Sequence, residues 1–352
     1  MATTDQYLLS IGHMLKDHLV DELEKFYRRK VNHFDIHSIQ SQERFGATGS
    51  LIIAKYSIST DIGDFDRHLA IKFNPSKESA LEELKNAILL ENQFFSFPQF
   101  GVPKVLFMST SDPNVLIYEG IEGINYDEIE EKGKLPYLAG QLLALIHGGE
   151  IRPVQEELYR DLARILGRKL ATTGKELEIS QAMGGAFNTI QQASSGCNAF
   201  SDFHQSNVMV TFSDGKPIKM WVIDPEFMQE GSFDRMEDVG TFFGFQFLKE
   251  YQIAGTYEQA KIDLLQFLRG YDSIFYQLSG RRLFEIYPHG FPIQFFIAFW
   301  VLMDGLDLAE NRLNDPTFSH PEIQDRIDFA LKFLRDQSFI NFINKEMTKK
   351  LG

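Results

Sequence analysis

Asp202, Asn207, Asp224 and Glu226 stand at the ends of two apolar runs, F-S-D-F-H-Q-S-N-V-M-V and W-V-I-D-P-E, joined by Ser213-Asp214-Gly215-Lys216. Carboxylate and amide oxygens gathered this way can hold a hard divalent cation such as magnesium, which favours oxygen ligands. Asp202 and Asn207 are five residues apart, the spacing by which a catalytic-loop carboxylate and a metal-binding amide point into one site. Asp202 is expected to accept a hydrogen bond from a substrate hydroxyl and take its proton during attack. Asn207 is expected to offer its carbonyl oxygen to the metal. Asp224 ends the apolar segment 219–223, expected to pair with 208–212, and Glu226 adds a second carboxylate. A polar turn would account for Asp202 and Asn207 alone, but it calls for no second acidic group after a following apolar strand. The pattern is that of phosphoryl transfer.

Such chemistry needs a nucleotide-holding half. In Leu69-Ala70-Ile71-Lys72-Phe73, alternation places Lys72 among buried neighbours, where an isolated ammonium is costly without an anionic partner. Nucleotide phosphates and a helix carboxylate would both serve. On the next helix, Ser79-Ala80-Leu81-Glu82 has capping-box spacing, which assigns Glu82 to the cap and leaves Glu83 as the partner of Lys72, with Glu91 as the alternative. The turn Phe45–Ser50 carries two glycines. It could lay backbone amides over phosphates or serve as a plain β-turn.

The elements around these residues follow from apolar spacing. Leu8, Ile11, Leu15, Leu19, Leu23 and Phe26 predict an amphipathic helix over 5–30. From Phe34 the pattern turns to β-rich runs at 36–44, 51–59 and 68–73, with a turn at 61–66. Asn74-Pro75 breaks the last run, a helix to about Phe95 follows, and 102–108 and 115–118 read as further strands. The N-terminal part is therefore expected to be a twisted antiparallel sheet with one inserted helix. Beyond Glu119 the chain is expected to be mainly helical, interrupted by the hairpin at 208–223. The boundary falls at 118–123, where two glycines follow an apolar strand, giving lobes 1–118 and 119–352.

A chain of 352 residues is long enough for two sizeable cores. Its 32 phenylalanines gather in the C-terminal half, which predicts a well-filled helical core. The net charge of −14 argues against nucleic acid as a partner. A single cysteine, Cys197, cannot form an internal disulfide and fits a reducing compartment. The start M-A-T-T-D-Q lacks signal-peptide character, and the longest apolar run, 295–303, is too short for the roughly 20 residues a bilayer needs. A cytoplasmic protein without membrane segments is expected.

The sequence resembles the aminoglycoside phosphotransferase and choline kinase superfamily over most of its length. That family's catalytic signature, H-G-D-L-H-x-x-N, is matched from Asp202 to Asn207, and its I-D-[FP]-E segment by Ile223-Asp224-Pro225-Glu226. The D-P-E-F wording is similar to that of 5-methylthioribose kinases. Ala70-Ile71-Lys72 resembles the family's nucleotide-lysine strand, Gly101–Leu106 its P-V-P-x-V-L strand, and Ile117–Gly123 its adenine-contacting hinge. The resemblance implies a two-lobed, protein-kinase-like α+β fold. It implies ATP and magnesium as cofactors and a small-molecule hydroxyl as acceptor. By the same resemblance the Glu119 carbonyl and Ile121 amide would face the base. Leu142–His147 resembles the family's L-x-x-L-H helix end, a packing feature, and Asp238-Val239-Gly240 a segment whose aspartate braces the catalytic loop. Phe200-Ser201 replaces the family's His-Gly, and a phenylalanine can supply only the packing of that histidine. The stretch from Glu83 to Pro103 is several residues longer than the family's.

For the acceptor, Asp304, Asp307 and Glu310 recur at three-residue steps. They could share a helix face that favours an amine or is simply solvated. Trp300 and Tyr287 could cage a cation or pack in the core. Two rival readings stand beside a small-molecule kinase. One is a catalytically impaired relative that binds nucleotide or a partner. The other is a protein kinase, against which the absence of D-F-G and A-P-E segments counts.

Overall fold

The computed structural model describes residues 19–42, 50–109, 114–155, 164, 166–168, 177–178, 181, 183, 195–312 and 321–349. The turn expected at 45–50 and the first part of the helix expected at 5–30 lie outside them. The chain divides into two compact units, Met1–Ile124 with Met209–Glu226, and Asn125–Val208 with Phe227–Gly352. The hairpin 209–226 thus falls in the first unit, although the sequence reading grouped it with 119–352. The expected antiparallel N-terminal sheet and mainly helical C-terminal part are both present.

In the first unit, helix α1 (19–27) precedes strands β1 (Val31–Gln42), β2 (Ser50–Thr60) and β3 (Gly63–Asn74), then α2 (Lys77–Phe94). Next come β4 (Phe100–Gly101), β5 (Val105–Ser109), β6 (Asn114–Glu119) and the two-residue β7 (Ile124–Asn125). The main sheet has the order β1-β2-β3-β6-β5, every pair antiparallel. Alternation gives it two apolar faces. Leu69, Ile71 and Ile117 pack with Leu19, Leu23, Phe34 and Tyr56 on one side. Ala80 of α2 packs with Leu116 and Tyr118 on the other. Lys72 is opposite Leu116 in register, and Ala70 is opposite Tyr118, so the lysine belongs to the α2 face.

Three boundaries differ from the sequence reading. β3 begins at Gly63, not His68, because Thr60 pairs with Gly63 across a two-residue turn and the ladder with β2 runs on through exposed polar positions. Helix α2 is capped by Ser76, whose side chain accepts from the Ser79 amide at 3.1 Å. The capping box at Ser79–Glu82 is therefore absent; Ser79 lies inside the first turn and Glu82 is exposed. The strand expected from Val102 starts at Val105, since Pro103 has no amide to donate, while Phe100 and Gly101 pair instead with Met220 and Trp221.

The hairpin strands are β9 (Val208–Ser213) and β10 (Lys216–Val222), β10 lying between β4 and β9. Asp214 and Gly215 have φ of 51° and 71°, the all-positive pair of a type I′ turn, whose twist matches that of the strands.

The second unit contains α3 (Leu135–His147), β8 (Gly196–Ala199) paired antiparallel with β11 (Gln229–Asp234), and a run of helices. These are α4 (Arg235–Ala254), α5 (Glu258–Ser279), α6 (Leu283–Ile286), α7 (Ile293–Arg312), α8 (Pro321–Leu334) and α9 (Gln337–Thr348). Gly140 of α3 and Gly270 of α5 each lie against the other helix's backbone, where any Cβ would collide. The phenylalanines fill this core: Phe203 stacks on Phe242 at 5.2 Å, and Phe243, Phe247 and Phe267 are fully buried around it. No helix among the described residues is long and apolar enough to cross a membrane.

Candidate functional site

The polar residues singled out in the sequence fall into two clusters, one in each unit. In the first unit, Lys72 is 8% exposed and its ammonium is bound by three carboxylates. Glu83 Oε2 lies at 3.1 Å and Glu226 Oε2 at 2.7 Å, and Asp224 Oδ1 makes the closest contact. Strand β3 aims the lysine at α2, and α2 presents Glu83 from its buried face, whereas Glu91 is exposed. Asp224 and Glu226 follow β10. The Asn86 side-chain amide donates to the Pro225 carbonyl at 2.9 Å, fastening α2 to the Asp-Pro-Glu segment. Asp224 has φ of 60°, a left-handed conformation that Asp tolerates better than most residues.

Charge decides the protonation states here. Burial works to lower the Lys72 pKa, but Asp224 and Glu83 outweigh it and raise it above the ordinary lysine value. Burial raises the Glu83 carboxyl, opposed by Lys72 and by the Tyr118 hydroxyl, which donates to it at 2.5 Å. One ammonium among three carboxylates leaves an excess of negative charge. Oxygens of Glu83, Asp224 and Glu226 lie within 4.8 Å of one another, a hard donor set of the kind magnesium takes. The residues present fit a divalent cation.

At the end of β6, Glu119 is tied to Lys104: its amide donates to the Lys104 carbonyl and its carboxylate accepts the Lys104 amide, both at 2.9 Å. Burial raises the Glu119 carboxyl. The Gly120 amide donates to the His68 carbonyl at 2.8 Å, and a side chain at Gly120 would strike the His68 backbone. Ile121 is half-buried just past this last rung of the ladder.

In the second unit, Asp202 is one-third exposed. The Asn207 side-chain NH2 donates to its Oδ2 and to its backbone carbonyl, both at 3.0 Å. That leaves the Asn207 carbonyl oxygen as the atom available to a cation. His204 Nε2 lies 3.5 Å from Asp202 Oδ2. The loop is anchored on both sides. Gln205 accepts from Lys132 at 2.9 Å and donates to Gln246 at 2.8 Å, and Ser206 donates to Asp127 at 2.7 Å.

Asp238, on the first turn of α4, accepts the Phe200 amide at 2.7 Å and the Ser201 amide at 2.8 Å. Ser201 has φ of 67°, where a non-glycine residue costs about 1–2 kcal/mol. Two amide bonds to a buried carboxylate, about 1.5–3 kcal/mol each, offset that strain. His147 Nε2 bonds Asp238 Oδ2 at 2.9 Å. The helix end read as a packing feature is thus a hydrogen-bonding one as well. Tyr118, Asn86 and His147 were all missed as polar partners. Asn86 had a signal in its three-residue step from Glu83 along the buried face; the other two depend on contacts across distant sequence.

The acceptor-side candidates come out differently. Tyr287 is 3% exposed and donates its hydroxyl to Asp234 at 2.7 Å, so it is a core residue and forms no open cage. Asp304 pairs with Arg326 at 3.0 Å, and the side chains of Asp307 and Glu310 lie outside the described residues. The exposed Phe95 ends α2 in the long segment before Pro103.

No protein-family model matches the sequence, and no curated protein matches it. Solved structures do. The GDP complex of wild-type aminoglycoside 2'-phosphotransferase-IIIa superposes with a TM-score of 0.54 at 12% identity, covering 95% of this chain and 99% of that one. The GDP complex of a point mutant of that enzyme gives 0.51 at 14% identity, over 97% and 99%. Choline kinase LicA from Streptococcus pneumoniae gives 0.46 at 15% identity, over 92% and 99%. At the first two scores the likeness is one of fold: the chain has the kinase-like fold of the aminoglycoside phosphotransferases.

Proposed function

We propose that this protein is an ATP- and magnesium-dependent kinase that transfers the γ-phosphoryl group to a hydroxyl of a small molecule, an amino alcohol, a sugar or an aminocyclitol. The observation that carries this reading is Lys72, buried and bound to Glu83, Asp224 and Glu226. A structural lysine is satisfied by one carboxylate; three leave a negative excess suited to the divalent cation that accompanies a nucleotide. In this reading Lys72 binds nucleotide phosphate oxygens with Glu83 as its counter-ion. Glu119 and Ile121 offer a carbonyl and an amide to the base. Asp224, Glu226 and Asn207 would hold magnesium, which when bound neutralises charge on the β- and γ-phosphoryl oxygens. Asp202 orients the acceptor hydroxyl and takes its proton.

The fold supports the reading, and the two aminoglycoside 2'-phosphotransferase structures reported above carry GDP. Both ATP and GTP therefore belong in the assay. Nucleotide consumption with magnesium is measured over a panel of amino alcohols, aminoglycosides and pentoses. Acceptor-dependent consumption is expected. Magnesium-dependent nucleotide binding with no turnover on any acceptor would instead favour a nucleotide-binding protein without activity.

A further inference from the structure

Asp238 holds the backbone before Asp202, and His147 touches Asp238; what holds His147 is a chain that continues inward. His147 Nδ1 lies 2.7 Å from the Tyr271 hydroxyl, and Arg235 donates to that same hydroxyl oxygen at 3.0 Å. All three side chains are buried. Arg235 is fixed in turn by the carbonyls of Gly148, at 3.0 Å, and Glu150, and its guanidinium lies 4.6 Å from the centre of the Phe275 ring.

The direction of every bond in this chain follows from donor capacity. A guanidinium has only donors, so the Tyr271 oxygen accepts from Arg235 and its single proton is left for His147 Nδ1. Nδ1 is then an acceptor, and a neutral ring must carry its proton on Nε2, which faces Asp238. The opposite tautomer would set the Nε2 lone pair against a carboxylate oxygen and leave the Tyr271 proton without a partner. A doubly protonated ring would place two donors, His147 and Arg235, on Tyr271, and burial lowers the His147 pKa. Each alternative breaks a buried bond; one arrangement satisfies all of them.

We infer that Arg235 and Tyr271 are positioning residues that fix the proton on His147 Nε2 and, through Asp238, set the backbone of Phe200 and Ser201 that carries Asp202. The relay supplies from the helix side what Phe200, with no hydrogen-bonding group, cannot supply from within the loop. The tautomer assignment stands on its own, whereas the consequence for turnover rests on the kinase reading above.

The test begins with the unmodified protein. Side-chain ¹⁵N NMR, with His147→Gln to identify the resonance among the nine histidines, should show a protonated Nε2 and an unprotonated Nδ1. A proton on Nδ1, or on both nitrogens near neutral pH, overturns the relay whether or not the protein is a kinase. Tyr271→Phe keeps the ring and removes the oxygen. It should move both His147 nitrogen resonances and lower kcat by roughly 10-fold, the lower end for outer-shell partners, with KM for nucleotide unchanged. Unmoved His147 resonances in Tyr271→Phe would also overturn the proposal. Moved resonances with kcat unchanged in an active wild type would overturn its positioning half.

Discussion

Replacing Lys72 by methionine probes the charge balance of the first unit without any assumption about substrate. The substitution keeps an unbranched side chain as far as Cε and removes the ammonium that Glu83, Asp224 and Glu226 share. Glu83 is fully buried and would keep only the Tyr118 hydroxyl as a partner. Removing one member of a buried ion pair costs about 3–5 kcal/mol. Asp224 is partly exposed and loses less, so about 3 kcal/mol is expected for the group. With a urea slope of about 2 kcal/mol per molar, the midpoint should fall by about 1.5 M at neutral to mildly alkaline pH.

The loss should also depend on pH, with a definite sign. Burial already raises the Glu83 pKa and Lys72 opposes that rise; without Lys72 the pKa climbs further above its unfolded value. A carboxyl raised in the folded state destabilises at high pH and recovers as it protonates, by up to about 1.4 kcal/mol per pH unit. The deficit of Lys72→Met should therefore shrink on acidification toward the unfolded carboxylate value, and Lys72→Met/Glu83→Gln should regain about 1 kcal/mol or more at neutral pH. The chain has two tryptophans. Trp221 belongs to the first unit and Trp300 to the second, so urea unfolding followed by fluorescence in a Trp300→Phe background reads the relevant unit. A loss below about 1 kcal/mol at every pH, or one that grows on acidification, would refute the reasoning.

Asp224→Ala should abolish magnesium-dependent nucleotide binding by calorimetry, and unchanged binding would remove Asp224 from the metal assignment. Ser201→Gly should raise stability by up to about 1 kcal/mol in denaturant unfolding, because glycine relieves the positive φ while its own backbone entropy limits the gain. Burial depresses the His147 pKa below its ordinary 6.5. The unfolded chain thus binds a proton that the folded one refuses, and stability should fall as pH drops below about 6.5, by at most about 1.4 kcal/mol per unit. His147→Gln should flatten that slope in pH-dependent unfolding.

What the sequence made legible was local or periodic. Strand alternation put Lys72 among buried neighbours, and the apolar run before Asp224 marked β10. Cap chemistry was read one turn too late: Ser76 and Ser79 are both plausible caps by type, and only the position of Asn74 and Pro75 at the end of β3 decides between them. Strand starts were misplaced where hydrogen bonding, not apolar pattern, sets the boundary, as at Gly63 and Val105. The pairing of His147 with Asp238 joins residues far apart in the chain, and nothing in the spacing of either announces it. Tyr118 looked like a strand residue because its ring packs as one; its hydroxyl is visible as a partner of Glu83 only once β6 lies beside β3.

The central claim is that Asp202 serves phosphoryl transfer to a hydroxyl. Its most direct test is the transfer of labelled γ-phosphate to an acceptor by wild-type protein and by Asp202→Ala, with nucleotide binding measured in parallel. The account predicts a labelled phosphate ester from the wild type and turnover lower by at least ~10²-fold in the variant, with nucleotide affinity retained. Equal rates of ester formation by the two proteins would contradict it.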